Sequence, residues 1–463
     1  MPQISEKVSA QEQDPLLVAI NKLSRRPETN LDAIPGSNGW PIIGDSLKLL
    51  FDAPGFSLRL FEEHGPVFKQ MAFGTPSVNF ADVDSARLIL MNKDKNFSSQ
   101  LGWSRVAKLL QRGILLRDFS EHRDHRRILQ QAFKRPVLEN YAEQLNKLLL
   151  AGIQHWPVGE HFKFQHKVKS LLLDNAAELF MGAELGPESD RLNKHFVALL
   201  NATVSLSQTK FPGGSWQKGV DGGQVLRDWL REQVPTRRSG DGDDFFTTLC
   251  KLSLDPENEM STDEVIDHTV LLLFAAHDTT TSTAGSLFSV LCDQPQWQER
   301  LREEVNGLNK NQLSINDLDQ LPLVDQFFKE VLRRYPPIFL VLRRCINAFE
   351  YNGVPIPANT MTNVNISVLH HRSDYWTDPF KFDPERFSPE RAEHKRDLFQ
   401  YLPFGAGAHK CLGINFAEIQ TKILLFHMLK NFHISTKPGR KIAFNHLPMP
   451  LPKDGLPVKL TPI

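Results

Sequence analysis

A cysteine on a glycine-rich segment is the residue of this sequence best suited to chemistry. Cys411 lies in the segment 404–413, whose sequence is FGAGAHKCLG. Apolar residues then recur at helical spacing, so the sequence predicts a helix that begins just after the cysteine: Phe416, Ile419, Ile423, Phe426 and Leu429. The free N–H groups and the dipole at the start of a helix favour a thiolate over a thiol.

The residues around Cys411 favour a flat iron complex over zinc. Gly407 permits a turn with positive φ, Gly413 lets a flat group approach the first helical turn, and Phe404 can shield the sulfur from water. Zinc takes about four ligands, so a lone thiolate is a poor zinc site. It is a suitable axial ligand for haem iron. The alternative is a buried structural cysteine, which is the usual role of a free cysteine.

A polar run inside an apolar helix marks a second candidate site. Ser261 and Glu264 have the spacing of a capping box, and a helical pattern runs from there to about Leu291. The run 277–283, HDTTTST, interrupts this pattern. Buried polar groups cost free energy unless they are hydrogen-bonded, and threonine is a weak helix former. Such a conflict favours a functional site, although a polar stripe facing solvent would give the same pattern.

Charged residues at helical spacing occur in two further places. Glu330 and Arg333 lie on one face of a predicted helix that is followed by two prolines, and they can form an ion pair there. His122 and Arg126 are one helical turn apart. Either pair alone is also compatible with an ordinary exposed helix face, because such pairs are common.

The composition is that of an ordinary globular protein. Of the 463 residues, 41% are hydrophobic and 23% are charged, which is enough for a sizeable core. The formal net charge of +0 gives no support for a nucleic-acid role. The four cysteines form no Cys-x-x-Cys pair, which argues against a disulfide framework and favours a reducing compartment. Residues 1–34 contain neither a signal-peptide pattern nor a membrane span, so we expect a cytoplasmic protein without a membrane anchor.

The order and spacing of these motifs resemble one known family. Segment 404–413 has the spacing Phe-x-x-Gly-x-x-x-Cys-x-Gly, which resembles the haem-binding signature of the cytochrome P-450 haem-thiolate monooxygenases. The resemblance implies a polar arm over 1–34 and a single domain over 35–463. The implied fold is mainly α with small β-sheets (α+β), a triangular prism that holds the haem between the long central helix and the helix after the cysteine.

The resemblance also implies roles for individual residues. The residues implied to bind haem b are His122, Arg126, Arg343, Phe404, Gly407, His409, Cys411 and Gly413, with Cys411 as the axial ligand. Arg344 competes with Arg343 for contact with a haem propionate. The implied catalytic pair is Asp278 and Thr279, an acid and an alcohol that bind dioxygen and relay protons through water. The implied structural group is Glu330, Arg333 and Arg386. The implied substrate pocket is Trp103, Leu110, Ala275, Ala276, Phe339, Leu340 and Met449, with Ala276 where the family usually has glycine.

The implied activity is hydroxylation or epoxidation of a lipophilic small molecule with O2. Candidate substrates are a terpenoid, a retinoid, a steroid or a fatty acid. No nucleotide-binding fingerprint occurs in the sequence, so two electrons would come from a ferredoxin or flavodoxin with its NAD(P)H reductase. The face of this protein on which that partner docks would include Arg123, Arg127, Lys329 and Lys410. The motifs most resemble the branch of the retinoic-acid hydroxylases and their soluble bacterial relatives, and we expect a monomer.

Two alternatives use the same haem site. A peroxide-driven peroxygenase or isomerase of the same fold would not need the acid–alcohol pair, so Asp278 and Thr279 argue against it. A non-catalytic haem-binding carrier or sensor would bind ligands without forming product. The sequence alone leaves this second alternative open.

Overall fold

Long helices and a few short strands build the molecule, and the mainly α fold expected from the sequence is confirmed. The computed structural model describes residues 30–463 apart from 42, 73, 204, 206, 207, 209, 210, 441 and 442. The α-helices are α1 (Ser46–His64), α2 (Val83–Met91), α3 (Ser99–Gly102), α4 (Ala107–Leu110), α5 (Phe119–Leu129), α6 (Arg135–Gln154), α7 (Phe164–Met181), α8 (Pro187–Thr203), α9 (Ser215–Ser239), α10 (Phe245–Leu252), α11 (Thr262–Asp293), α12 (Pro295–Gly307), α13 (Ile315–Leu318), α14 (Pro322–Arg334), α15 (Ile366–Leu369) and α16 (Ile414–Asn431). None of these helices is long and apolar enough to cross a membrane.

The strands form four small sheets. They are β1 (Val67–Ala72), β2 (Thr75–Phe80), β3 (Phe97–Ser98), β4 (His161–Lys163), β5 (Leu340–Cys345), β6 (Phe349–Tyr351), β7 (Val354–Ile356), β8 (Met361–Asn365), β9 (Phe432–Ser435), β10 (Phe444–Asn445), β11 (Leu451–Pro452) and β12 (Pro457–Pro462). The largest sheet has the order β1-β2-β8-β5-β3, and the others are β4-β12-β9, β6-β7 and β10-β11. Within the largest sheet β2 and β8 are parallel, and its other pairs are antiparallel.

The predicted polar arm falls almost entirely outside the described residues. Of the arm at 1–34, the structure describes only residues 30–34. Leu31 and Ile34 are buried and pack in one apolar cluster with residues of β1 and β2, including Val67 and Phe80. The packed part of the chain therefore reaches back at least to residue 31, a few positions before the predicted domain start at 35.

The long helix α11 passes through the largest apolar cluster of the protein. Its first turn is closed by a capping box, in which the Ser261 hydroxyl accepts from the Glu264 amide at 3.3 Å and Glu264 Oε2 accepts from the Ser261 amide at 2.8 Å. From Val265 onward most of its residues are buried, and one of its faces packs against α7. The helix begins where the sequence predicts and ends two residues after Leu291.

A buried cluster of charges joins α14 to the chain that follows it. The Glu330 carboxylate accepts two hydrogen bonds from Arg333, at 2.7 and 2.8 Å, and one from Arg386 at 3.2 Å. All three side chains are 0% exposed. Arg386 also bonds Glu393 at 3.0 Å, so two carboxylates serve the two guanidinium groups. Burial of these charges is tolerated because each is paired and hydrogen-bonded.

This cluster is connected to the cysteine segment through a buried histidine. Arg333 donates to the backbone carbonyl of His370, and His370 Nδ1 lies 3.1 Å from the Arg333 carbonyl, to which it donates. On the other side of the ring, His370 Nε2 accepts from the Leu402 amide at 2.9 Å. Burial, followed by the charge of Arg333, lowers the pKa of His370 to about 3, which keeps Nε2 free to accept. The start of the cysteine loop is thereby held to α14.

We expect Glu330→Gln to lower the free energy of unfolding by about 3–5 kcal/mol, because Arg333 would lose the carboxylate that accepts two of its hydrogen bonds inside the protein. Urea unfolding of the haem-loaded protein measures this change. A matched control is Glu385→Gln, since Glu385 is half exposed (53%) and pairs with Arg300 at 3.0 Å on the surface. That control should cost under about 1 kcal/mol. Equal losses for the two variants would contradict the assignment.

Candidate active site

The central helix α11 and the cysteine loop face one another across an apolar cavity of about 330 Å³. Cys411 and Phe404 lie on the loop side, and Ala275, Ala276 and Thr279 lie on the helix side. Other lining residues come from the segment before α5, from β5 and from the C-terminal loop, including Ile114, Leu115, Val341 and Met449. The cavity is apolar in its middle, with polar groups confined to a few places, as is usual for small-molecule sites.

The cysteine loop is shaped by two close turns. The Cys411 amide donates to the Phe404 carbonyl at 2.9 Å, and this hydrogen bond joins the two ends of the loop. Gly405 and Gly407 have φ values of +65° and +68°, in the region that glycine adopts without strain. A Cβ at Gly407 would also overlap the backbone oxygen of Leu90 on α2. A Cβ at Gly413 would meet nothing within 4 Å, since Gly413 borders the cavity.

The protein alone does not favour the thiolate form of Cys411. The side chain is exposed and opens onto the cavity, but the surrounding protein raises the pKa of its thiol by burial. A hydrogen bond from the Gly413 amide and the charges of Arg126 and Lys410 oppose this rise only in part. The helix itself starts three residues further on, at Ile414. The expectation from the sequence is therefore corrected: a bound metal cation, which deprotonates a coordinating thiol outright, would have to supply the rest.

Basic side chains gather at one edge of the cavity. His122 and Arg126 from α5, Arg343 from β5 and His409 from the loop all line it. The rings of His122 and His409 are in contact, with centroids 3.8 Å apart and planes tilted by 32°. Burial, followed by the charges of Arg126 and Arg343, lowers the pKa of His122 to about 3. Burial also lowers the pKa of Arg343 to about 10, with Asp118 opposing, so that this arginine stays charged at neutral pH.

These basic residues have too little negative charge beside them. Within the described part of the chain, Arg126 has no hydrogen bond or ion pair to a carboxylate, and Arg343 Nη1 donates to a backbone carbonyl, that of Leu342, at 2.8 Å. The nearby Asp118 already accepts from Ser98 and from the Ser99 amide. An anionic group in the cavity would supply the missing acceptors, because arginine pairs well with carboxylates. These arginines would hold the two carboxylates of a haem, and Cys411 is the residue that would bind its iron.

The two residues of the predicted acid–alcohol pair face different surroundings. Thr279 lines the cavity, and its hydroxyl donates to the Ala275 carbonyl one turn back at 2.7 Å. Asp278 is turned toward α7, where its carboxylate lies 3.5 Å from Lys169 Nζ. The same carboxylate lies 3.7 Å from Nε2 of the preceding residue, His277. The Asp278 side chain is 30% exposed, so it is in contact with solvent. Asp278 therefore faces solvent, whereas Thr279 faces the cavity.

Three of the predicted pocket residues do not line the cavity, so the prediction was wrong for them. Leu110 is completely buried in the main core, because the chain turns at Gln111 (φ +50°) and brings Ile114 and Leu115 to the cavity. Phe339 packs instead against the cluster formed by α1 and β1. Leu340 lies on the other face of β5, since side chains alternate along a strand and Val341 and Arg343 point to the cavity.

The remaining predicted residues divide between lining and support. Trp103, Ala275, Ala276 and Met449 line the cavity, as do Phe404 and Gly413. Gly407 lets the loop pack closely against the backbone of Leu90 on α2. Arg344 lies near Met361 and Asn359 and does not line the cavity, which favours Arg343 for the propionate role.

Sequence reasoning missed several contributors. His268 lines the cavity at the N-terminal half of α11, and His370 and Glu393 complete the buried network behind the loop. His268 precedes Leu272 and Ala276 by one and two helical turns, so the helical period could have placed it on the cavity face. No sequence signal pointed to His370 or Glu393, because their roles depend on contacts distant in sequence.

The cavity brings a cysteine on a loop together with a basic edge, a set of groups that suits a haem. The family model described as Cytochrome P450 matches residues 34–454, so the chain belongs to the cytochrome P450 family. It is 33% identical to the putative cytochrome P450 136 of Mycobacterium tuberculosis, over 94% of this chain and 90% of that protein. It is 26% identical to the taxane 10-beta-hydroxylase of Taxus cuspidata, over 96% of this chain and 93% of that protein. Membership makes the protein an oxidoreductase of the monooxygenase type.

The fold of this chain is also similar to that of a solved structure. A cyanobacterial member of the family, solved with retinoic acid bound, superposes with a TM-score of 0.84 and 28% sequence identity. The match covers 93% of this chain and 99% of that one. The resemblance to the retinoic-acid hydroxylases and their soluble bacterial relatives, which the sequence suggested, agrees with this neighbour.

The two glycine turns of the cysteine loop give a matched pair of substitutions. Gly405→Ala adds a Cβ into open space and should cost roughly 1–2 kcal/mol for the positive φ alone. Gly407→Ala adds the same strain and an overlap with the Leu90 carbonyl, so we expect a clearly larger loss and a lower haem content. Thermal unfolding and the ratio of haem to protein after purification measure both effects. A Gly407→Ala variant as stable as Gly405→Ala would contradict the packing of the loop on α2.

The basic edge predicts a selective effect on haem retention. Arg126→Gln removes a charge-assisted hydrogen bond of about 1.5–3 kcal/mol, so haem should be transferred to excess apomyoglobin roughly ten- to a hundredfold faster. Arg123→Gln on the same helix is the control, because Arg123 is 77% exposed and pairs with Asp124. Its transfer rate should match that of the wild type. Equal rates for all three proteins would show that Arg126 does not contact the haem.

Proposed function

We propose that this protein is a monooxygenase that binds haem b through Cys411 and hydroxylates a lipophilic small molecule with O2. The observation that carries the proposal is an apolar cavity with the Cys411 thiol on one side and the Thr279 hydroxyl on the other. A haem with a thiolate ligand supplies the electron density that favours O–O cleavage. The protein contributes the position of the substrate, the exclusion of water and the supply of protons.

Thr279 and Asp278 would divide the handling of protons between them. The Thr279 hydroxyl donates to the Ala275 carbonyl, and rotation about χ1 would let it donate into the cavity instead. Asp278, paired with Lys169, is the carboxylate nearest to this hydroxyl along the helix and reaches solvent. We assign Asp278 to proton uptake and Thr279 to holding the proton at its Oγ1 beside the oxygen substrate.

The lining favours a largely apolar substrate. Most lining side chains away from the basic edge are aliphatic or aromatic, among them Trp103, Leu115, Leu272 and Met449. A relative acts on a taxane, and a structural neighbour binds retinoic acid, which together favour a terpenoid or retinoid over a steroid or a fatty acid. Compared with the glycine that is usual in the family, the methyl group of Ala276 narrows the cavity on the side of α11.

Electrons would come from a separate ferredoxin or flavodoxin that docks beside the cysteine loop. Arg123, Arg127 and Lys410 are exposed and can meet an acidic partner. Lys329 is less exposed and is paired with Asp325, and Arg123 is paired with its exposed neighbour Asp124. Such docking weakens with ionic strength, because exposed charges are screened beyond about 10 Å at 0.1 M salt. All four cysteines are free, which agrees with a reducing, cytoplasmic compartment for a monomeric enzyme.

A substitution on α11 tests the assigned reaction. Thr279→Val removes the hydroxyl at nearly constant volume, so the fraction of NAD(P)H converted to product should fall at least about tenfold while hydrogen peroxide rises. The assay uses a surrogate ferredoxin with its reductase and retinoic acid as probe. Thr281→Val is the control, because the buried Thr281 hydroxyl has no hydrogen-bond partner in the described structure and its loss should leave this fraction unchanged.

The same assay separates the proposed function from its alternatives. A peroxide-driven enzyme would form product with peroxide alone and would show equal yields for wild type and Thr279→Val. A haem-binding protein without turnover would form no product under either condition. Either result would count against a monooxygenase.

A further inference from the structure

A buried ion pair joins α9 to α11 behind one wall of the cavity. Arg227 of α9 and Asp267 of α11 are 8% and 9% exposed, and Arg227 Nε donates to Asp267 Oδ1 at 3.3 Å. A Cβ at Gly223, one turn earlier on α9, would lie 3.0 Å from Arg227 Nη1, so this glycine leaves room for the guanidinium. The proposed reaction does not use this pair.

Both members of the pair also bind the backbone of a third segment, residues 103–115, which we call the wall segment. Arg227 Nη2 donates to the Leu109 carbonyl at 2.9 Å. Asp267 Oδ2 accepts from the Arg112 amide at 3.1 Å. Between these two groups the chain turns sharply at Gln111, with φ +50° and ψ −126°. Because the chain leaves helical geometry there, side chains from α9 and α11 supply the partners that these backbone groups need.

The wall segment forms part of the cavity lining, whereas α9 does not. Trp103, Ile114 and Leu115 line the cavity. All residues of α9 are described by the structure, and none of them lines the cavity. The pair of Arg227 and Asp267 is therefore a direct connection between α9 and a wall of the cavity.

The wall segment lies on the α11 side of the cavity. A Cβ at Gly113 would lie 2.7 Å from Cβ of Leu271 on α11 and 3.2 Å from the carbonyl oxygen of Asp267, so the backbone packs closely against this helix. Leu271 and Ile114 line the cavity together, and Cys411 opens onto it from the loop side. A ligand that reaches haem iron from the side opposite Cys411 would therefore meet α11 and the wall segment.

The two charges of the pair depend on each other. Burial lowers the pKa of Arg227 and raises the pKa of Asp267, and the attraction between the two side chains opposes both shifts. Removal of either partner would leave a buried charge without its counter-charge, which is strongly destabilising. The loss of Arg227 should therefore release the wall segment from both helices.

We propose that Arg227 and Asp267 are positioning residues that fix the wall segment and thereby limit the bulk of the ligand that the cavity accepts. Arg227 acts through the Leu109 carbonyl, and Asp267 acts through the Arg112 amide. The proposal rests on the proposed function, since it takes the haem to be bound through Cys411. It extends that function by assigning part of the substrate selectivity to residues that do not line the cavity.

Hydrogen exchange tests the positioning role without any substrate. Exchange is followed by mass spectrometry in peptides that cover residues 103–115, for the haem-loaded wild type, Arg227→Gln and Arg231→Gln. Arg231 is the matched control, because it lies one turn later on α9, is 48% exposed and pairs with Asp263 of α11 at 2.6 Å. We expect exchange in the wall segment to be at least about tenfold faster in Arg227→Gln, since a buried pair is lost there. Exchange in Arg231→Gln should match the wild type.

Two azoles of different size test the role in selectivity. Imidazole and N-tritylimidazole both bind haem iron through a ring nitrogen on the side opposite the thiolate, and the trityl group adds bulk. Their dissociation constants are measured from the shift of the Soret band. Relative to imidazole, N-tritylimidazole should bind at least about tenfold more tightly to Arg227→Gln than to the wild type, because a released wall segment yields to a bulky ligand. Arg231→Gln should keep the wild-type ratio.

Equal exchange in the three proteins would overturn the positioning role. Faster exchange in Arg227→Gln with an unchanged ratio of the two dissociation constants would overturn the role in selectivity. If Arg227→Gln does not retain haem, Arg227→Lys takes its place, because lysine keeps the charge but lacks the fork that binds Leu109 and Asp267 together. A reduced carbon-monoxide complex without the thiolate-type band would contradict the proposed function itself. A normal band with either of the first two results contradicts this inference alone.

Discussion

The buried carboxylate of Glu330, shared between two arginines, is the interaction on which the geometry of the site depends. The segment that carries Cys411 has little regular secondary structure of its own, so contacts from elsewhere must fix it. Arg333 and Arg386 bind Glu330 with no exposure to water, and His370 transmits the position of Arg333 to the Leu402 amide. A misplacement of α14 would therefore move the start of the cysteine loop relative to α11. Water cannot replace these bonds, because the cluster is closed to solvent.

The cavity has three chemically different regions, and each suits a different part of the molecules that bind there. One edge is basic and short of carboxylates, its middle is apolar, and a thiol opens onto it from the loop. Burial alone disfavours the charged form of that thiol, so the loop and its ligand depend on each other. The polar groups of α11 are placed at intervals along one face, at His268, at Thr279 and, turned outward, at Asp278.

Local patterns allowed much of this arrangement to be predicted. The capping box at Ser261 and the helical period set the start of α11, and the spacing around Cys411 placed the loop before α16. Pocket residues were harder, because the face of β5 that meets the cavity depends on its pairing with β8, where Val341 opposes Val364. One step along the strand exchanges Leu340 for Val341. The orientation of Asp278 and the partners of Arg227 depend on helices packed from distant parts of the chain, which no local pattern reveals.

The bond between the Cys411 sulfur and iron is the central claim, and the spectrum of the reduced carbon-monoxide complex tests it most directly. For the wild type, we predict the red-shifted Soret band that a thiolate ligand produces and that gives the family its name. Cys411→His, reconstituted with haem, should instead give the band of a histidine-ligated haem protein. A Cys411→His protein with the same red-shifted band as the wild type would contradict the account, because another residue would then be the ligand.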